Sequence, residues 1–178
     1  MDIDSLQLET PRLILRPPRL EDLDALAEMM TDEPSARFIG GVMPRPVSWR
    51  ALMTMIGSWH AHGFGMFSVI EKASGRWVGR LGPWMPEGWP GPEIGWAIVR
   101  DRWGLGYAPE GAIAATNWAV DTLGWTRFIH SISPSNVASQ RVAAKLGSRP
   151  LGPGQLPPPY EHDVVDLWGQ SSDEWRRR

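Results

Sequence analysis

Residues 93–110 read EIGWAIVRDRWGLGYAPE, and this stretch decides the fold. In its first part, Ile94, Trp96 and Ile98 alternate with small or polar residues. Such an alternation predicts a strand over Glu93–Val99 that turns one face to the core.

A glycine loop follows this strand and precedes a helix. The loop is Trp103-Gly104-Leu105-Gly106-Tyr107-Ala108, and a stripe of apolar residues at helical spacing runs from about Pro109 to Leu123. Glycines let the N–H groups of a loop converge, and the start of a helix adds partial positive charge. The order strand, glycine loop, helix therefore predicts an anion site.

Two common phosphate loops do not fit this segment. The P-loop requires a lysine after its last glycine, and none follows here. The dinucleotide fingerprint requires a third glycine at the position that Pro109 occupies.

The rest of the chain continues the alternation of strands and helices in one predicted domain, residues 1–178. Predicted strands are Arg12–Arg16, Met66–Glu71, Trp77–Pro83, Glu93–Val99, Arg127–Ser133 and His162–Trp168; predicted helices are Leu20–Met30, Ser48–Ala61, Pro109–Leu123 and Asn136–Leu146. Pro34 is expected to end the first helix, and Pro150–Pro159 is expected to be loop. The fold class is α/β, a mixed sheet in the order β-α-α-β-β-β-α-β-α-β.

Composition excludes several classes of protein. A formal net charge of -2 argues against nucleic acid as the main ligand. With no cysteine there is no disulfide, no thiolate metal site and no acyl-cysteine intermediate, and the cytoplasm is the expected location. The acidic start is not that of a signal peptide, no apolar run suits a membrane helix, and the four histidines lack the spacing of a metal site.

The glycine loop and two further motifs together carry a family resemblance. The loop, W-G-x-G-Y-A, resembles the pyrophosphate loop of the GNAT acetyltransferases, in the branch of ribosomal-protein alanine N-acetyltransferases (RimJ/RimL-like). Asn136-Val137-Ala138-Ser139 with Lys145-Leu146-Gly147 resembles that branch's N-x-x-S…K-L-G helix, and Leu8–Arg16 resembles its opening strand. The resemblance extends over about residues 8–169. It implies the GNAT fold, with a mostly antiparallel sheet flanked by helices, and acetyl-CoA held at residues 103–108.

Two positions depart from the family pattern. Ser148 stands where a large apolar residue usually follows the K-L-G glycine. Ala143 stands where many members carry a tyrosine that protonates the leaving thiolate, so that acid is absent.

Glu93 is the predicted general base, because an amine attacks a thioester only when neutral and histone-type members carry a glutamate at this strand position. Gly95 and Ala97 share its face and leave room for a ligand. The alternative is a solvated glutamate at a strand end that pairs with an arginine.

The resemblance also implies contacts with the rest of the donor. The backbone at Ile98 and Val99 is expected to bond pantetheine, with the Val99 N–H facing the tetrahedral oxyanion. Asn136 caps its helix and also bonds pantetheine, and Ser139 donates to the thiolate or is a plain surface hydroxyl. Two cations, Arg102 and Lys145, either pair with CoA phosphates or are ordinary solvated charges.

The acceptor pocket is expected to lie around Glu93. His60, Trp84 and Trp89 are its candidate lining residues, and the Pro- and Gly-rich loop Met85–Pro92 forms one wall. The alternative is that the tryptophans only cover the edge of the sheet.

The resulting hypothesis is direct transfer of acetyl from acetyl-CoA to an amine, in a ternary complex and without a metal. The acceptor is a protein N-terminus or a small molecule, with no nucleic-acid or membrane partner, and the enzyme is a monomer or homodimer. The alternative from another class is an acyl-CoA-binding or sensing domain without turnover.

Overall fold

A computed structural model describes residue 3 and residues 5–178, and these form eight strands, six α-helices and two short 3-10 helices (Leu20–Asp22 and Arg100–Arg102). The strands are β1 (Leu8–Glu9), β2 (Leu13–Arg16), β3 (Phe67–Glu71), β4 (Trp77–Trp84), β5 (Glu93–Ile98), β6 (Arg127–Ile132), β7 (Arg149–Gly154) and β8 (Val165–Ser171). The helices are α1 (Leu23–Thr31), α2 (Glu33–Ala36), α3 (Arg45–His62), α4 (Tyr107–Asp121), α5 (Val137–Lys145) and α6 (Ser172–Arg176). Residues 1, 2 and 4, on which the expected lack of a signal peptide partly rests, lie outside the described residues.

All eight strands lie in one sheet, in the order β1-β2-β3-β4-β5-β6-β8-β7. Only β5 and β6 run parallel, and every other neighbouring pair is antiparallel. The predicted mixed, mostly antiparallel sheet is confirmed. The single parallel pair is the one joined through the glycine loop and α4, as a β-α-β connection requires.

Helices cover both faces of the sheet. On one face α4 packs against β4 and β5, and Gly111 allows this close approach, because a Cβ there would lie 2.5 Å from Leu81 Cδ2. On the other face α1 and α3 enclose a second apolar cluster, which includes Leu26, Leu52 and Met55. The alternation predicted for β5 is confirmed, since Ile94 packs on the α4 side and Ala97 on the α1/α3 side.

The segment predicted as loop over Pro150–Pro159 contains a strand instead. β7 is the last strand of the sheet. Proline is tolerated there because the open side of an edge strand has no neighbour with which its missing N–H would have bonded. The partner strand, β8, begins and ends three residues later than predicted. The prediction placed Val164 and Val165 together inside the strand, but Val164 is 75% exposed and precedes it.

Pro34 starts a helix rather than ending one. Asp32 caps the short α2 by accepting from the Ser35 N–H, and Pro34 lies in its first turn, where its missing N–H is harmless. α3 likewise begins at Arg45, three residues earlier than predicted, and α6 was not predicted. Among the described residues, no helix combines the length and apolarity needed to cross a membrane.

Candidate active site

The glycine loop connects the end of β5 to the start of α4. Gly104 and Gly106 have φ values of 76° and 81°, in the left-handed region, and Gly106 is the N-cap of α4. A Cβ on Gly104 would have nothing within 4 Å, so glycine is required there by conformation rather than by space. The loop thus carries its backbone in the turn that an anion cradle needs.

The amino-terminal motif braces this loop. Arg12 Nη1 donates to the Leu105 carbonyl at 2.8 Å, and its Nε donates to Glu110 Oε2 at 2.7 Å. Thr10 Oγ1 donates to the other Glu110 oxygen at 2.6 Å. In the sequence, the opening strand is only one of the motifs that carry the family resemblance. The structure shows that Thr10 and Arg12 of this segment also hold the glycine loop in place.

Arg102 is committed to structural carboxylates. Its Nε lies 2.9 Å from Glu71 Oε1, and its Nη1 lies 3.0 Å from Asp101 Oδ2. Tyr107 also donates to Glu71 Oε1, at 2.7 Å. Hydrogen bonds from Arg102, Ser74 and Tyr107 lower the pKa of Glu71 to about 2. In this structure the Arg102 guanidinium holds the loop to β3, and its pairing with CoA phosphates stays a prediction.

Trp103 lies against the end of β5. Its indole N–H donates to the Ile98 carbonyl at 2.6 Å, while about half of the side chain stays exposed. Leu105 is equally exposed, and Ala108 lies in the first turn of α4. The exposed side of the loop is therefore open to a ligand.

β5 and β6 separate soon after they meet. Their ladder contains one Cα pair, Glu93↔Ile129, whereas β4 and β5 share six pairs. Directly after this pair the Ile94 carbonyl accepts from a side chain, His130 Nδ1, at 2.6 Å, rather than from the backbone of β6. A wedge-shaped opening, bounded by the later residues of β5 and β6, follows from this geometry.

The amides that face this opening can be identified from the ladder. The Val99 N–H donates to the Val78 carbonyl at 3.0 Å and so points toward β4. Val99 is therefore not available to an oxyanion, which corrects that expectation. Because amides alternate between the two edges of a strand, the N–H groups of Trp96 and Ile98 point the other way, toward the opening.

Ser139 and Trp96 meet on the α4 side of β5. The indole N–H of Trp96 donates to Ser139 Oγ at 3.2 Å. Asn136 caps α5, as predicted, since its Oδ1 accepts from the Ser139 N–H at 3.1 Å. Lys145 is exposed at the end of α5, and its Nζ has no partner in the described part of the chain.

Glu93 lies buried on the opposite side of β5. Its Oε2 accepts from Trp89 Nε1 and from Ser131 Oγ, each at 2.7 Å. Burial raises the pKa of Glu93, against the opposing effects of these donors and of the Arg80 charge. The solvated, arginine-paired alternative does not describe this residue, because the carboxylate is 7% exposed and its partners are an indole and a hydroxyl.

The predicted acceptor residues separate into two groups. Trp89 contacts Glu93 directly, and Trp84 lies opposite Glu93 in the β4–β5 register. His60 lies elsewhere, beside a cavity of about 40 Å³ that Pro17, Pro18 and Trp59 also line. The structure thus brings the two tryptophans to Glu93 and leaves His60 apart.

The space predicted to be open beside β5 is filled. A Cβ on Gly95 would lie 2.8 Å from the terminal methyl of Met66 and 3.3 Å from Glu93 Oε1. Ala97 packs in the cluster of α1 and α3. The absence of a side chain at Gly95 therefore accommodates Met66 in this structure, which corrects the expectation of an empty path along the strand.

Three polar residues near the wedge escaped sequence reasoning: Arg80, His130 and Ser131. His130 is 1% exposed, donates to the Ile94 carbonyl and accepts from Ser148 Oγ at 2.9 Å. The unusual serine at 148 was the available signal, because a hydroxyl in an apolar position needs a buried partner.

Comparison with known proteins identifies the family. A family model described as an acetyltransferase (GNAT) domain matches residues 12–149. The N-acetyltransferase p20 of Bacillus licheniformis is 28% identical over 148 residues, which are 82% of this chain and 83% of that protein. The Bacillus subtilis protein YkkB is 33% identical over 88 residues, and the match spans 48% of this chain and 51% of YkkB.

Solved structures share the fold over nearly the whole chain. An acetyltransferase from Agrobacterium tumefaciens str. C58 is 27% identical, with 96% of each chain covered and a TM-score of 0.81. RimJ from Mycobacterium smegmatis, in complex with CoA-disulfide, is 20% identical, with 95% of this chain and 87% of that chain covered and a TM-score of 0.72. Since the family model covers most of the sequence, the chain belongs to the GNAT family of acetyltransferases and is an acyltransferase.

Proposed function

We propose that this protein transfers acetyl from acetyl-CoA directly to a primary amine, in a ternary complex and without a covalent enzyme intermediate. The observation that carries the proposal is the buried Glu93 carboxylate at the point where β5 and β6 separate. Direct transfer fits a chain with no cysteine. Acetyl-CoA supplies the acyl group as a thioester.

The donor is held from the glycine loop to the wedge. The left-handed turn at Gly104 and Gly106 and the start of α4 bind its pyrophosphate. Pantetheine lies in the opening between β5 and β6, where the Ile98 amide bonds it. Lys145, at the exposed end of α5, pairs with a phosphate of the donor.

Glu93 accepts the proton of the attacking amine, directly or through one water. A raised pKa suits this role, because a base is most effective when its pKa lies near the working pH. Trp89 and Ser131 fix the Oε2 atom, so the carboxylate is held in one orientation. Trp84 and Trp89 line the acceptor side.

The sulfur of the leaving CoA is contacted from the other face of β5, by Ser139. Ser139 Oγ accepts a hydrogen bond from the Trp96 indole, so the hydroxyl proton of Ser139 points away from that indole. Through this O–H it donates a hydrogen bond to the leaving thiolate and remains a neutral hydroxyl, and the thiolate takes its proton from water. Many family members use a tyrosine for this step, but this chain has Ala143 at that position. The Trp96 N–H stabilises the oxyanion, because it points into the wedge and lies nearer to Glu93 along β5 than the Ile98 N–H does.

Release of free thiol from acetyl-CoA on a panel of primary amines tests this function, with CoA affinity measured separately by calorimetry. The proposal predicts CoA binding and amine-dependent thiol release. A protein that binds CoA but releases no thiol with any amine is the acyl-CoA-binding or sensing domain instead.

A further inference from the structure

Arg80 projects from β4 on the same face as Glu93. In the β4–β5 register it lies directly opposite Ala97, so the two side chains share the α1/α3 face. Its Nη1 lies 2.9 Å from Met66 Sδ and 3.9 Å from Met55 Sδ. Its Nε is enclosed and bonds to nothing in residues 3 and 5–178.

No carboxylate within 4.0 Å pairs with this guanidinium in the described part of the chain, in contrast to two other arginines of the sheet, Arg16 and Arg149. Arg16, for example, pairs with the buried Asp22 at 2.7 Å. The groups whose charges act on Arg80 are Tyr160 and Glu93, and burial lowers the pKa of Arg80 against them. Thioether sulfur is a weak acceptor and does not replace an anion. A partly buried cation with such partners is costly, and an anionic ligand offsets that cost.

A bare stretch of backbone separates Arg80 from Glu93. Gly82 and Gly95 are opposite each other in the register, between the Arg80↔Ala97 pair and the Trp84↔Glu93 pair. The Met66 methyl lies over Gly95, and methionine is the most adaptable apolar side chain. A small acceptor that displaces Met66 reaches both the carboxylate and the guanidinium.

We propose that Arg80 binds a carboxylate of the acceptor, so that the enzyme's substrates are primary amines that carry an acidic group near the amine. The inference rests on the proposed function, because it names the substrate class of the same site. The amine faces Glu93 and the acidic group faces Arg80. Free α-amino acids and peptides with an acidic residue near the N-terminus both supply this chemistry.

Kinetics on matched acceptors test the proposal. Each free amino acid is compared with its decarboxylated amine, and each short peptide with aspartate at position two is compared with its asparagine counterpart. The wild type is expected to prefer the acidic member of a pair by about 10- to 100-fold in kcat/KM, the range of a charge-assisted hydrogen bond. The kind of pair that shows the larger preference identifies whether free amino acids or peptides are the acceptor class. Equal rates within every pair overturn the proposal while leaving the acetyltransferase function intact.

The variants Arg80→Met and Arg80→Lys separate charge from packing. Methionine suits the sulfur-rich surroundings, so folding is preserved and the melting temperature does not fall. We expect Arg80→Met to raise KM for acidic acceptors by about 10- to 100-fold without raising KM for neutral amines, and Arg80→Lys to restore part of the preference. Any change in kcat is expected to be shared by acidic and neutral acceptors, because the Arg80 charge acts on the pKa of Glu93. An equal rise in KM for acidic and neutral acceptors contradicts the assignment.

Binding without turnover keeps the test independent of activity. Calorimetry on the CoA complex compares an N-acetyl amino acid with the N-acetylated amine that lacks its carboxylate. Tighter binding of the acid by the wild type, lost in Arg80→Met, supports the site even if no amine is acetylated. Equal binding of the two compounds overturns it.

Discussion

The Ser131 hydroxyl donates to Glu93 Oε2 at 2.7 Å, across the junction at which β5 and β6 part. This bond joins the proposed base to the strand that forms the other side of the wedge. Ser131 therefore holds Glu93 at the opening and also acts on the pKa of its carboxylate.

Removal of this hydroxyl is expected to move the pH dependence of the reaction. The bond stabilises the charged carboxylate and lowers the pKa of Glu93, so Ser131→Ala raises that pKa further. The acidic limb of the kcat/KM profile then shifts to higher pH. Ser133→Ala, just past the end of β6, is the control and leaves the limb in place. A Ser131→Ala profile that overlays the wild type contradicts Glu93 as the titrating base.

A comparison of alanine variants at two glycines of similar conformation separates an effect on CoA binding from an effect on folding. Gly104 and Gly63 have φ values of 76° and 73°, and a Cβ on either would have nothing within 4 Å. Alanine at either site costs about 1–2 kcal/mol of stability for its left-handed conformation. Only Gly104→Ala is expected to weaken CoA binding as measured by calorimetry. Equal CoA affinity in both variants contradicts the loop as the pyrophosphate site.

Ser139→Ala tests the hydrogen-bond donor to the leaving thiolate. We expect kcat to fall by about 10- to 100-fold, the range for a hydrogen bond to a charged group, with CoA affinity little changed. Ser135→Ala, an exposed serine of the preceding turn, serves as the control. A normal kcat in Ser139→Ala returns Ser139 to the role of a plain helix-surface hydroxyl.

The buried His130 is expected to limit stability in acid. Burial lowers its pKa from 6.5 to about 4, so the unfolded chain takes up the proton first as the pH falls. The stability from neutral His130 is complete above pH 6.5 and is lost toward pH 4, roughly 3 kcal/mol at most.

Urea unfolding between pH 7 and pH 4 measures this loss. His130→Leu is expected to be less stable than the wild type at pH 7 but to lose less stability on acidification. Ser148→Ala removes the partner of Nε2 and keeps the histidine, so it retains the acid dependence. An unchanged pH slope in His130→Leu contradicts the linkage.

The sequence predicts the scaffold well because periodicity and glycine conformation are local properties. The alternation of Ile94, Trp96 and Ile98 appears in the structure as expected, and the turn expected at the glycine loop is made by the left-handed Gly104 and Gly106. The edge strand β7 was missed because its prolines read as loop, and only its position at the end of the sheet makes them tolerable.

The details of the site depend on pairings that the sequence does not contain. The Val99 amide donates to the Val78 carbonyl because β4 lies beside it in space. Arg102 pairs with Glu71 because β3 lies beside it. The same is true of Arg80, whose lack of a carboxylate partner among residues 3 and 5–178 appears only once β4 and β5 are in register.

Turnover of Glu93→Gln at saturating amine tests the central claim most directly. Glutamine keeps the shape of the side chain and cannot accept the amine proton, so we expect kcat to fall by about 100-fold or more while CoA still binds. Stability at pH 7 is not expected to fall, because burial raises the pKa of Glu93 and so disfavours its charged form in the folded protein. A near-normal kcat in Glu93→Gln would contradict the role of Glu93 as the base.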